Sequence, residues 1–433
     1  MNLRFIKPVF CLLSAMCMPA LAGTASAKSL WTLQSSIAQA QLTSPELKQT
    51  EAIIGARNAD IELANLWPDP SIEFKVDNQT GLDDGSGDYA LSEITISQDI
   101  PLSRLEHQKS VAEANFNAAR YSQSNTALQL ENRVAKVFYE LKLASTTYDL
   151  ALKRVQLADK LNSSGLKNNQ GNVVRYLTPL EKMRLSIIRE QAHQAESAAE
   201  GKLLETLTEF YKVLGIDANS EVNVDELVPL EKVPKLNDLI EQQNIHPLLS
   251  NQQQQLQAAT SSIEVARSAS MKDPSISINR LRENFSSGTE NVYGVMLNFE
   301  IPVHGRKSTE ISKANYNASQ QRIELARLKR ELQINLNQSY THLNHIIEQA
   351  SEFKKKVLTP SQKILQLSEK GFISGELNIL SLVESNNTYF ESRMHYLDLV
   401  YQAWVELADI HLYAGKSMME SKVKPGQVTK GEK

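Results

Sequence analysis

The chain has 433 residues, a formal charge of −4 and 22% charged side chains. That balance excludes a basic surface built for nucleic acid, and about 400 residues behind the N-terminal segment would ordinarily make two or three domains. No later stretch approaches the roughly 18 apolar residues of a transmembrane helix, so any membrane crossing falls to strands.

The N-terminus carries the marks of a secretory signal. Arg4 and Lys7 precede an apolar core from Val9 to Met18, and two small-residue cleavage signals follow, Ala20-Leu21-Ala22 and Ala25-Ser26-Ala27. Residues 1–27 are therefore expected to be removed; the alternative is a buried core helix. Both cysteines, Cys11 and Cys17, lie inside this segment, which leaves the exported chain without disulfides. A lipidated Cys17 would need a small residue before it, where Met16 stands.

The remainder states one pattern twice, with a period near 200 residues (roughly, by matching landmarks). Asp69-Pro70-Ser71-Ile72 returns as Asp273-Pro274-Ser275-Ile276, and Ile100-Pro101 returns as Ile301-Pro302. Ala114-Asn115-Phe116-Asn117-Ala118 returns as Ala314-Asn315-Tyr316-Asn317-Ala318, and Leu214-Gly215 corresponds to Ala414-Gly415. The expected organisation is a first repeat over 28–215, a linker or equatorial segment over 216–236, a second repeat over 237–415, and a Lys-rich tail over 416–433. The tail lacks periodicity and is expected to be disordered.

Each repeat predicts a helix, two strands, a long helix, a Gly-rich turn and another long helix. The strands alternate with period two. Ile72, Phe74 and Val76 oppose Ser71, Glu73 and Lys75; Ile94 and Ile96 oppose Glu93, Thr95 and Ser97. In the second repeat Ile276 and Ile278 oppose Ser277 and Asn279, and Tyr293, Val295, Leu297, Phe299 and Ile301 oppose Gly294, Asn298 and Glu300. Such alternation fits either tilted membrane strands or a half-buried soluble sandwich.

The helices decide between these. From Arg306 to about Lys370 a stripe of Leu325, Leu328, Leu332, Leu336, Tyr340, Leu343, Ile347, Ala350, Phe353 and Val357 recurs at helical spacing, interrupted by one proline, Pro360. Residues near 104–164 form a counterpart. Helices approaching ~90 Å exceed any compact domain and must pack as a long bundle or coiled coil. Pro70 and Pro274 mark helix-to-strand corners, and Pro101 and Pro302 the return. Four strands cannot close a barrel alone, so membrane strands would require several chains.

Taken together, the duplicated halves, the Asp-Pro-Ser-Ile elements, Ile301-Pro302 followed by Gly305-Arg306-Lys307, and the turn Gly371-Phe372-Ile373-Ser374-Gly375-Glu376-Leu377-Asn378-Ile379-Leu380 resemble the TolC-type outer-membrane efflux family. Within it they look most like the cobalt-zinc-cadmium subgroup. The first half departs at Leu102-Ser103-Arg104-Leu105, which lacks the Gly-Arg-Lys element. The resemblance implies a mainly α fold with a β-barrel portion. In a homotrimer, four transmembrane strands per chain would make a 12-stranded barrel in outer-membrane lipid, continued by a 12-helix barrel across the periplasm. It further implies a periplasmic adaptor, an inner-membrane RND-type proton-driven pump, heavy-metal cations as cargo, no cofactor and no catalysis. The competing reading is a periplasmic coiled-coil adaptor or scaffold without a membrane barrel; a periplasmic enzyme lacks any nucleophile or phosphate-loop motif.

In the family, the turns Gly165 to Gly171 and Gly371 to Gly375 would form the periplasmic ends of the helical hairpins, with glycines supplying positive φ. The acidic aperture positions would fall on Ser381 and Glu384, and the turn aromatic on Phe372. Three copies of Glu384 near an axis would repel one another and attract cations; the alternative is an ordinary solvated residue. His342 and His345 stand three apart on the long helix, a spacing open to metal, but no third ligand neighbours them in sequence. His304 falls at the junction between barrel and helices. Trp67 before Pro68 suits a membrane interface, while Trp31 and Trp404 form no pattern with it.

Overall fold

The computed structural model of the protein describes residues 30–77, 91–101, 104–162, 166–167, 173–175, 177–268, 273–285, 288–300 and 305–420. The signal segment, Gly165, Gly171, Ile301, Pro302, His304 and the tail beyond 420 lie outside the described residues. In chain order the elements are α1 (Leu33–Thr43), α2 (Pro45–Ala64), β1 (Ser71–Asp77), β2 (Leu91–Asp99), α3 (Arg104–Asn162), β3 (Leu166–Lys167), β4 (Val173–Arg175) and α4 (Pro179–Leu214). They continue with α5 (Leu236–Gln243), α6 (Pro247–Ser268), β5 (Ser275–Phe285), β6 (Gly288–Asn298), α7 (Arg306–Phe353), α8 (Thr359–Ser374) and α9 (Ile379–Ala414). The duplication is thus plain: helix, strand hairpin, long helix, return helix, twice. One addition was not foreseen, the short β3–β4 pairing between α3 and α4.

The long helices have the expected scale. At 59 residues, α3 extends for about 90 Å. A π-turn over Lys354–Leu358 joins α7 to α8, directly ahead of Pro360. Proline has no amide to donate and its ring crowds the carbonyl four residues earlier. A wider turn relieves that crowding, and Thr359 Oγ1 occupies the Lys354 carbonyl at 2.9 Å. The extra residue also moves the register: Leu358, 4% exposed, enters the core, and Val357, expected on the apolar stripe, is left out. Upstream the stripe holds, with Leu332, Leu336, Leu343 and Ala350 buried.

The helix ends follow their sequence. Thr178 and Glu181 form a reciprocal capping box ahead of Pro179 at the start of α4. Gly215 and Gly415, matched by the repeat, end α4 and α9 in the left-handed region at φ 61° and 71°. A side chain at 415 would also meet the His246 ring, 2.8 Å from a built Cβ.

The main core gathers where the two repeats meet. Phe138, Tyr139, Leu336, Leu343, Trp404 and Leu407 pack together there, with Trp404 stacked on Tyr139 at 4.5 Å and donating its Nε1–H to the Val228 carbonyl at 2.7 Å. The segment 216–236 runs as a strap across the core: Leu227 and Leu230 are buried, and the Leu227 amide donates to Thr146 Oγ1. The chain after Gly415, expected to be disordered from 416, is held as far as a 3₁₀ turn at Met418–Glu420. The cause is Glu131, 5% exposed, which accepts from Ser417 Oγ at 2.8 Å, the Met418 amide at 2.9 Å and Gln41 Nε2 at 3.2 Å. Among the described residues no helix is long and apolar enough to cross a membrane.

Candidate duct wall and aperture

The strands form one antiparallel sheet in the order β1-β2-β5-β6, so the hairpins of the two repeats lie side by side. Register places Ile72, Ile96, Ile278 and Val295 in a row across all four strands, and Phe74, Ile94, Arg280 and Tyr293 in the row two residues along. The apolar side chains of both rows are exposed; Phe74 and Tyr293 each reach 72%. The opposite face carries Glu73, Thr95 and Asn279 and is tied by Ser97 to Ser277 at 2.8 Å and by Asn279 Nδ2 donating to Glu93 at 2.6 Å. A soluble sandwich would bury the apolar rows under a second layer. No described element covers them, and the sandwich reading falls.

Where the sheet meets the helices, Arg104 reaches Asp273 at 2.7 Å and the Ile100 amide donates to the Pro274 carbonyl. The Asp-Pro-Ser-Ile element of the second repeat is thus clamped by the first repeat, through the very segment where the first repeat lacks Gly-Arg-Lys. Sequence comparison of the halves pointed at Arg104 only as a departure. Trp67 sits near this end of β1, 58% exposed.

The α8–α9 reversal lies far along the helices from the sheet. The amides of Glu376 and Leu377 both donate to the Gly371 carbonyl, at 2.9 and 3.0 Å. Gly375 takes φ 86°, as expected. Gly371 does not share that conformation: it belongs to α8, and the need there is close approach, since a Cβ would sit 2.8 Å from Leu377 Cδ1. Asn378 caps α9, its Oδ1 accepting from the Ser381 amide at 3.0 Å and the Ser381 hydroxyl at 3.2 Å.

Of the proposed aperture residues, Glu384 alone presents an exposed side chain; Ser381 is half-buried and engaged in the cap. Phe372 is fully buried against Leu161, Leu365 and Leu382. It anchors the reversal to α3 instead of lining an opening, because its position in the last turn of α8 points it inward. Two residues near this end were missed in sequence. Arg154 on α3 donates through Nη2 to Asn387 Oδ1 at 2.7 Å and lies over the Phe390 ring at 5.5 Å; burial lowers its pKa, opposed by Glu391. Glu369 on α8 has its carboxyl raised by burial, with Lys160 opposing. Both lie at contacts with helices more than 200 residues away in the chain, roughly, which period alone cannot display.

His342 and His345 stand on one side of α7, and the structure supplies a neighbour that spacing could not: Glu406 on α9, 3.0 Å from His342 Nδ1. Among the described residues no group of three or more His, Cys, Asp or Glu side chains is placed to hold a metal ion, so any site here rests on the two histidines.

An exposed apolar sheet face, two sheet edges unpaired among the described residues and helices of this length define the architecture. Residues 241–416 match the model of the outer membrane efflux protein family. Among curated relatives it is similar to the cobalt-zinc-cadmium resistance protein CzcC of Cupriavidus metallidurans, 22% identical over 280 residues, a match covering 64% of this chain and 63% of that protein. Among solved structures it is similar to CusC, with a TM-score of 0.69 at 16% identity over 93% of this chain and 98% of that one. It is also similar to the open state of the MtrE outer membrane channel of Neisseria gonorrhoeae, with a TM-score of 0.71 at 15% identity over 89% of each chain. The fold is that of these channels.

Proposed function

We propose that the protein is a passive duct in the outer membrane, a homotrimer whose three four-stranded sheets close one 12-stranded barrel and whose helices extend it into the periplasm. The observation that carries this reading is the sheet itself: apolar and exposed on one face, carrying Glu73, Thr95 and Asn279 on the other, and unpaired at both edges among the described residues. An open edge is not tolerated in lipid, so other chains must complete it. Helix surfaces support assembly too. No residue of α2 is buried within the single chain, and Ile323, Ile334 and Tyr316 of α7 are exposed.

In this reading the duct works with a periplasmic adaptor and an inner-membrane RND-type pump, which supply the energy and most of the selection. Similarity to the cobalt-zinc-cadmium resistance protein CzcC favours heavy-metal cations as cargo. The α8–α9 reversal forms the periplasmic aperture, and Glu384, exposed just beyond it, contributes negative charge that favours cations. Purified protein in planar bilayers tests the duct directly. Stable conductance with cation preference is expected, and Glu384→Gln should lose part of that preference; absence of pores would overturn the duct, and unchanged selectivity the role of Glu384. Cargo is tested by growth of a deletion strain on zinc, cobalt, cadmium and copper against a drug panel, where sensitivity confined to drugs would overturn the metal assignment.

A further inference from the structure

The geometry points to an open transition-metal site on a face of α7 that is exposed in the single chain, built by His342 and His345 and oriented by Glu406. His342 Nδ1 lies 3.0 Å from the Glu406 carboxylate. A carboxylate can only accept, so Nδ1 carries the proton and donates it. In the neutral ring that leaves the lone pair on Nε2, facing away from Glu406. This is the carboxylate–histidine arrangement that fixes the tautomer and ring orientation of a metal ligand. Glu406 is only 17% exposed at its side chain, whereas the His342 side chain is 55% exposed. The orienting group is thus held by the protein while the ligand atom stays accessible.

His345 is exposed and follows three residues later, the helical spacing that puts two side chains on one face about 5–6 Å apart at Cβ. The two imidazoles border an open groove of about 650 Å³, whose remaining walls are Asn337, Gln338 and Thr341. Amide and hydroxyl oxygens one turn before the histidines offer weak oxygen donors, and the remaining coordination positions are open to water. Two nitrogens, weak oxygens and open positions suit borderline first-row divalent cations, Zn²⁺ and above all Cu²⁺, and disfavour Ca²⁺ and Mg²⁺, which prefer carboxylate-rich oxygen sets. An open two-histidine site binds and releases; it is not a structural metal. The site stands independently of what the duct exports.

Isothermal titration of the purified full chain in detergent with Zn²⁺ tests it. One ion per chain is expected. His342→Ala and His345→Ala should each weaken binding at least tenfold, and Glu406→Gln should weaken it less, because it removes only the orienting charge. Binding with unchanged affinity in the His342→Ala/His345→Ala double variant, or no binding by the unaltered chain at a hundred micromolar Zn²⁺, would overturn the site. Cu²⁺ paramagnetic resonance on the unaltered chain, loaded at one ion per chain, needs no variant to fold. Nitrogen superhyperfine splitting is expected, and an all-oxygen spectrum would overturn the inference.

Discussion

At the scale of single residues, two buried histidines make the main core sensitive to acid. His411, 2% exposed in the last turn of α9, has its imidazole pushed down to about 4 by burial, against an ordinary 6.5. His246 is lowered for the same reason, and its ring accepts from the Leu248 amide while its Nε2 faces the Leu412 carbonyl at 2.9 Å. The unfolded chain takes up these protons near 6.5, the folded chain only well below. Stability is therefore complete above about 6.5 and is lost as pH falls towards 4, by about 3 kcal/mol for His411 alone. Denaturation midpoints measured between pH 7.5 and 4.5 should fall steeply, and His411→Gln should flatten the slope; an unchanged slope would remove His411 from the account. None of this was visible in sequence, where His246 stands in the short link before Pro247 and His411 in ordinary helical surroundings. Residue-scale roles depend on which side chains packing brings together, as the Glu131 clamp on Ser417 and the burial of Phe372 also illustrate.

At the scale of elements the sequence was far more legible. Period-two alternation located β1, β2, β5 and β6 and their faces, since a strand's faces are set by parity alone. Period 3.6 located α3 and α7, and matched glycines marked the ends of α4 and α9. The failures were local geometry. The π-turn shifted Val357 off the stripe, Gly371 proved helical, and the β3–β4 pairing had too few residues to show a period. The face assignment has a consequence for membrane insertion. Val295, 71% exposed in the row with Ile72, Ile96 and Ile278, should contact lipid, where an arginine costs about 2–4 kcal/mol near the midplane. If the proposed trimer forms, Val295→Arg should deplete the oligomer in outer-membrane fractions, while Glu73→Arg on the opposite face should leave it intact. Equal yields from the two variants would reject the face assignment.

At the scale of the whole molecule, duplication explains why one chain cannot finish its own structure. Fusing two hairpin-bearing units puts β2 against β5 within the chain and leaves β1 and β6 as outer edges, unpaired among the described residues. Each edge exposes a row of backbone donors and acceptors that lipid cannot satisfy. Three copies resolve this if β6 of one chain pairs with β1 of the next, so the repeat continues around the ring with every edge used. The pairing can be trapped, because the sequence holds just two cysteines, Cys11 and Cys17, both in the expected signal segment. Glu73→Cys on β1 should be combined in turn with Glu290→Cys, Val292→Cys, Met296→Cys and Asn298→Cys, which share its face on β6. A disulfide needs Cα atoms about 4.4–6.8 Å apart, so one register should give a ladder of covalent dimers and trimers on denaturing gels, removed by reductant. Single-cysteine chains should give none. If no combination cross-links in native outer membranes, the shared barrel is wrong, and the open edges must be covered by something other than a second copy of this chain.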